Sequence, residues 1–318
     1  METLLAPGLL APGFLAHSPV EVFALPFMWR ALVTVVILAV AAGIVGLFIS
    51  FRELEFVSDG LVHAVFPGLV IGAALGGTAG VLPGAVVAAV LAAVLFTVLE
   101  HRGGVSADAA IAVVLTGLFS LGIVLVSRQE GYVSQLQELL FGRLLTVTEA
   151  QLAQILVVAL AAIAVVVLTW RAQLFRAFDA AGAEAAGFRP LAADIALGVA
   201  VALLVVAGVQ ALGVLMVLAL LMIPMATARL ITRGFALLIP LAILVPLVAG
   251  VAGLWLSFEW SVGAGATVSP GALVVLLLVG GYGIAALVRL ARSRAAARRI
   301  PRETAQPAGR EQDRAVRA

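Results

Sequence analysis

The sequence predicts an all-α, polytopic membrane protein, and three observations predict it. Of the 318 residues, 64% are hydrophobic and 11% charged, against about 25% charged in an ordinary soluble domain. The apolar residues fall in runs of roughly 20, the length that crosses a hydrocarbon core of about 30 Å as a helix. The 19 basic residues, every one an Arg, lie asymmetrically about those runs. No water-soluble fold of this size hides so much apolar surface. Without Lys there is no Gly-Lys-Ser/Thr phosphate loop, so any ATP-driven work needs another chain to bind the nucleotide. Zero Cys excludes disulfides, thiolate metal sites and cysteine nucleophiles.

In order, the apolar runs are 28–50, 61–77, 82–99, 108–127, 151–170, 192–210, 212–228, 235–256 and 269–289. The second and third are separated by Gly76-Gly77-Thr78-Ala79-Gly80-Val81-Leu82-Pro83, the sixth and seventh by Gln210 to Gly213, both rich in helix breakers. These pairs are expected to be hairpins, giving nine transmembrane helices, or eight if one tight pair does not cross fully. With nine spans and the tail inside, sixteen of nineteen Arg fall on the cytoplasmic side; Arg30, Arg128 and Arg143 fall outside. That asymmetry predicts an external N-terminus and a cytoplasmic C-terminus. Residues 1–26, with no basic start and four prolines, read as an external or interfacial segment and not as a cleavable signal. Residues 27–289 read as one transmembrane domain with a long cytoplasmic loop at about 171–191, and the segment from Gly131 to Thr148 reads as a short helix at the outer face. The tail 290–318, rich in Arg, Ala, Gln and Pro, lacks apolar periodicity and reads as disordered. Its nine Arg (counted from Arg289) account for the basic balance, which speaks for a membrane surface and not for nucleic acid.

Polar residues at membrane depth are costly and are functional candidates by default. The richest cluster is Ser58-Asp59-Gly60-Leu61-Val62-His63-Ala64-Val65-Phe66-Pro67-Gly68. Asp59 and His63 are four apart and share a helix face. A carboxylate and an imidazole together suit Zn²⁺ or Mn²⁺. They could instead be a structural pair in which Asp59 fixes the tautomer of His63, or Ser58 or Asp59 could cap the helix. Two donors do not make a site, but a two-fold dimer would bring four to one axis. Pro67 and Pro224, inside apolar runs, are expected to break their helices near a path. The segment 178–188 reads as a solvated connector or as a short helix docking into a partner. Asp194 reads as a first-turn carboxylate favoured by the helix dipole, Glu259 as a solvated external residue, and His17 and His101 as solvent-exposed.

Taken in order, these pieces resemble the permease subunits of bacterial zinc/manganese/iron ABC importers, the ABC-3 group, over residues 25 to about 280. The resemblance is carried by Leu25-Pro26-Phe27-Met28-Trp29-Arg30-Ala31-Leu32, by Asp59-x-x-x-His63-Ala64-x-x-Pro67-Gly68, by Leu140-Phe141-Gly142, by Asp179-x-x-x-Ala183-x-x-x-Gly187, and by Val209-Gln210-Ala211-Leu212-Gly213 through Pro224 to Arg229. Before the last span the sequence departs, with Val262-Gly263-Ala264-Gly265-Ala266-Thr267 where the family often has a Pro-Ser-Gly-like turn.

The resemblance implies a transport subunit, not an enzyme, importing a divalent transition metal, zinc slightly ahead of manganese and iron third. It implies no permanently bound cofactor and a transient metal site of Asp59 and His63, one pair from each protomer of a homodimer. It also implies that Phe178, Asp179, Ala183 and Gly187 couple to a separate ATP-binding subunit, and that an extracytoplasmic metal-binding protein delivers the ion in the bacterial plasma membrane. Two alternatives are a gradient-driven secondary metal transporter and an ABC permease for a metal chelate. An intramembrane hydrolase is disfavoured because neither His-Glu-x-x-His nor Gly-x-Ser-x-Gly occurs.

Overall fold

In the computed structural model the described residues are 17–102, 107–127, 140–263 and 268–298, and they form helices joined by short turns. Ten α-helices are present among them: α1 Pro19–Phe23, α2 Pro26–Phe51, α3 Glu55–Arg102, α4 Ala107–Val126, α5 Glu149–Leu168, α6 Trp170–Phe178, α7 Ala180–Ala185, α8 Pro190–Ile231, α9 Phe235–Gly263 and α10 Pro270–Arg298. Six (α2, α3, α5, α8, α9 and α10) are long and apolar enough to cross a membrane, and Ile111–Val126 of α4 is a shorter apolar helix.

Two of the six fold back on themselves. The helical path of α3 breaks at Gly77 (φ 58°, ψ −145°) and that of α8 at Gly213 (φ 77°, ψ 165°), backbone conformations that an L side chain resists. The halves of α3 lie backbone against backbone, since a methyl on Gly72 would strike the carbonyl of Gly80 and one on Gly68 the carbonyl of Gly84. Small residues permit this approach where no hydrophobic effect drives helices together. In α8, Gly208 lies under Val217, whose Cγ2 would sit 2.6 Å from an added methyl. Both expected hairpins are present, and dividing α3 and α8 at their turns yields nine apolar segments among the described residues. Pro67 and Pro224, expected to break their helices, instead sit in continuous helical backbone, with the dihedral breaks at the two glycines. Each removes one backbone hydrogen bond but no turn.

Burial sorts the helices. The most apolar window of α8 is 78% buried and that of α2 67%, against 22–33% for α3, α5, α9 and α10. α8 and α2 are therefore the centre. The pair α3 and α4 packs on one flank, α9 and α10 on the other, and α5 against both central helices. The outer faces of the peripheral helices are apolar, as lipid demands. Such helices are apolar all round, which is why their amphipathic signal is weak.

Both ends depart from expectation. α1 begins with a capping box, in which the Glu21 amide donates to Ser18 Oγ and the Ser18 amide to Glu21 Oε2. His17 and Glu259, expected in solvent, are paired: the His17 amide donates to Glu259 Oε1 at 3.0 Å and the His17 ring nitrogen Nδ1 lies 3.1 Å from the same oxygen. Glu259 is 1% exposed, and the Trp255 indole donates to the His17 carbonyl. A carboxylate on the last turns of α9 thus fastens the chain just before α1, because a buried carboxylate must be satisfied. At the other end α10 stays helical to Arg298, past the expected limit of 289; residues 299–318 lie outside the described ones, as do residues 1–16. Most of the expected outer-face helix, 131–139, also lies outside them; in the remainder Leu140 and Phe141 are helical and Leu144–Thr146 forms a 3₁₀ turn.

Candidate functional site

Asp59 and His63 lie on the first half of α3, on one face, each half-buried. The Nδ1 nitrogen of His63 sits 3.0 Å from the Asp59 carbonyl oxygen and 3.6 Å from Asp59 Oδ1. A carbonyl only accepts, so Nδ1 carries the proton, and Nε2 is left with its lone pair and no hydrogen-bond partner among the described residues. The Phe119 ring of α4 stands edge-on to the imidazole at 5.3 Å and fixes its plane. Because Pro67 has no amide hydrogen, the His63 carbonyl also lacks its usual i+4 donor. One turn of helix therefore offers a carboxylate, an imidazole nitrogen and an under-used carbonyl. No group of three His, Cys, Asp or Glu that could hold a metal ion occurs among the described residues.

Beside His63 lies an apolar cavity of about 130 Å³, walled by Phe66, Leu69 and Phe119 and closed by Leu140, Val209 and Val214. Its far end meets the turn of α8, where Gly213 and Gly142 (φ 73°) press backbone to backbone and the Arg143 amide donates to the Ala211 carbonyl. The Leu-Phe-Gly segment and the α8 hairpin tip, far apart in sequence, thus share one junction at the mouth of this cavity.

The second candidate element is the 178–188 segment. Asp179 caps α7, accepting from the Gly182 amide at 2.8 Å. At the other end the Phe188 amide donates to the Ala183 carbonyl and the Gly187 amide to the Glu184 carbonyl, with Gly187 at φ 85°. This pair of bonds is a Schellman closure. Asp179, Ala183 and Gly187 therefore build the short helix, and Ala183 is buried beneath it. The surface offered outward includes Phe178, 67% exposed, Asp179, Ala181, Glu184, Ala185 and Gly187, so of the motif only Ala183 is hidden.

Sequence reasoning missed the cluster around Asp194, where α6 meets the start of α8. Asp194 is not a simple first-turn carboxylate. Its Oδ1 accepts from Arg52 Nη2, and its Oδ2 accepts from Arg176 Nη2 at 3.1 Å. The His101 Nε2 atom lies 3.3 Å from Oδ2 while its Nδ1 faces the Thr97 carbonyl, so His101 is exposed, as expected, yet paired. Arg52 also donates to Gln173 Oε1, and Gln173, fully buried, donates to the Ala193 carbonyl. Hydrogen bonding to Asp194 raises the Arg176 guanidinium above its already high value, so it stays charged. Four helix ends (α2, α3, α6 and α8) meet on one carboxylate. The only hint in the sequence was charge at the rims of apolar runs.

Residues 24–282 match the family model described as ABC 3 transport family. The chain belongs to that family. It is a multi-pass transport subunit of an ABC system and not an enzyme. It is 30% identical over 242 residues to the manganese transport system membrane protein MntC of Halalkalibacterium halodurans, covering 76% of this chain and 82% of that one. To the chelated iron transport system membrane protein YfeD of Yersinia pestis it is 32% identical over 239 residues, 75% and 80% of the two chains. Among solved structures it is similar to PsaBC from Streptococcus pneumoniae in complex with Fab, with a TM-score of 0.73, 26% identity, and 84% and 94% coverage.

Proposed function

We propose that this chain is the permease of a bacterial importer for a divalent transition metal, with manganese ahead of zinc, and that Asp59 and His63 form its transient transport site. The observation that carries the reading is the unpartnered Nε2 of His63, beside a carboxylate one turn away, on a membrane helix whose His63 lines an apolar cavity. Two oxygens and one nitrogen from this turn suit manganese, which takes carboxylate and carbonyl donors; zinc favours nitrogen and sulfur. The names of the relatives point the same way, toward manganese and iron. Few ligands suit transport, since an ion held by a complete shell is not released.

The remaining donors are taken to come from a second copy across a two-fold axis. An extracytoplasmic binding protein delivers the ion to the cavity mouth at the Gly142–Gly213 junction. Separate ATP-binding subunits dock on Phe178 and α7, and their closure shifts the helix ends gathered on Asp194. The single domain spans 27–289 with the N-terminus outside.

Cellular manganese, zinc and iron, measured by mass spectrometry in metal-restricted cells, test the reading. Loss of the chain lowers one metal; the parent restores it and Asp59→Ala with His63→Ala does not, at equal membrane abundance. Restoration by the double variant would overturn the site, and no change in any metal would overturn the substrate class.

A further inference from the structure

On the flank away from α3 and α4, an open apolar groove of about 620 Å³ runs between the second half of α8, α9 and α10. On α10 its wall is the stripe Leu277, Gly281, Ile284, Ala285 and Val288, ending in Arg289 and Arg292, all on one helix face by their three- and four-residue spacing. The apolar part from Leu277 to Val288 is about 16 Å long at 1.5 Å per residue, the half-thickness of a core of about 30 Å.

The charged end is unbalanced. No Asp or Glu occurs between Asp194 and Glu259, or from Trp260 to Arg302. Arg229 nearby is already engaged, donating to Ser50 and lying over the Phe51 ring. Arg289 makes one long bond, at 3.4 Å, to the Arg229 carbonyl. Arg289 and Arg292 are exposed and have no acidic partner among the described residues. A guanidinium pair at the rim of a bilayer, with no carboxylate to face, calls for an anion whose geometry matches its fork.

We infer that this groove seats an anionic phospholipid, one acyl chain along the α10 stripe and the headgroup phosphate on Arg289 and Arg292. The arginine asymmetry predicts that this end faces the cytoplasmic leaflet, which is the anionic one. The groove is distinct from the Asp59–His63 cavity and separated from it by the central helices.

The test uses the full chain reconstituted in nanodiscs of equal phosphatidylglycerol and phosphatidylcholine, then released and weighed by native mass spectrometry. The parent retains phosphatidylglycerol selectively, about one per chain. Arg289→Gln with Arg292→Gln cuts that retention at least tenfold, with helicity unchanged by circular dichroism. Gly281→Leu, which narrows the groove while keeping both Arg, cuts it as well and guards against a misfolded arginine variant. Soluble glycerol phosphate at millimolar concentration does not displace the lipid. Retention at the parent's level in either the arginine or the groove variant overturns the proposal. Displacement by glycerol phosphate overturns the lipid in favour of a free phosphate site. Unaltered lipid with loss of a co-purifying ATPase overturns it in favour of a protein-docking role for the two arginines.

Discussion

Asp194→Asn is nearly isosteric, so it isolates the charge at the junction of four helix ends. With the carboxylate present, Arg52, Arg176 and Asp194 sum to +1; without it they sum to +2, focused on a neutral amide. The Arg52 and Arg176 side chains are 12% and 25% exposed and the carboxylate 8%, so water can screen the surplus only in part. Removing one partner of a fully buried ion pair costs about 3–5 kcal/mol. The partial exposure of Arg176 lowers the expectation here to about 2–4 kcal/mol. At about 2 °C per kcal/mol for a chain of this size, the melting temperature in detergent falls by roughly 4–8 °C. Arg52→Gln gives a similar loss, and the double variant loses less than the sum because each alone strands the other, a coupling of about 1–3 kcal/mol. A shift below about 2 °C for Asp194→Asn, or strict additivity in the double variant, would refute the claim that the carboxylate holds these ends together.

Two further outcomes follow from named geometry. Gly213→Ala forces φ 77° on an L residue and drives a methyl into the Gly142 amide and the Leu140 carbonyl; with a left-handed penalty of about 1–2 kcal/mol before any clash, detergent-purified protein melts at least 5 °C below the parent, whereas Gly117→Ala, open on all sides, stays within 1 °C. At the N-terminus, the Ser18 amide and then the Ser18 hydroxyl hold the exposed Glu21 carboxyl below its ordinary value of 4.5; since its folded value is depressed, the cap is intact above the unfolded value and is lost as pH falls through the folded one. Carbon-detected NMR titration of Glu21 should give a midpoint under 4.5 that rises in Ser18→Ala, and an unshifted midpoint would remove the capping box.

The helices and hairpins were legible because membrane crossing demands local properties: about 20 apolar residues in a row and glycine at each fold-back. The Asp59–His63 face was legible for the same reason, since i and i+4 meet by helical geometry alone. What joined across long separations was not. Asp194 finds Arg52 across 142 residues, and His17 finds Glu259 across 242, and nothing in either local sequence announces a partner. For Pro67 and Pro224 the ordinary expectation failed, because packed neighbours keep a helix continuous past a missing hydrogen bond while the glycine turns absorb the reversals.

A six-residue helix has too few bonds to persist by itself in water, yet α7 is closed at both ends by its own chain, through Asp179 in front and Gly187 behind. Its ordering entropy has therefore been met when the chain folds, and a surface docking there has little left to freeze beyond the rotamers of Phe178 and Glu184. If α7 is the docking point proposed above, a push on it would bear on α6 and the start of α8, which it packs against, and Asp194 ties those two to the ends of α2 and α3.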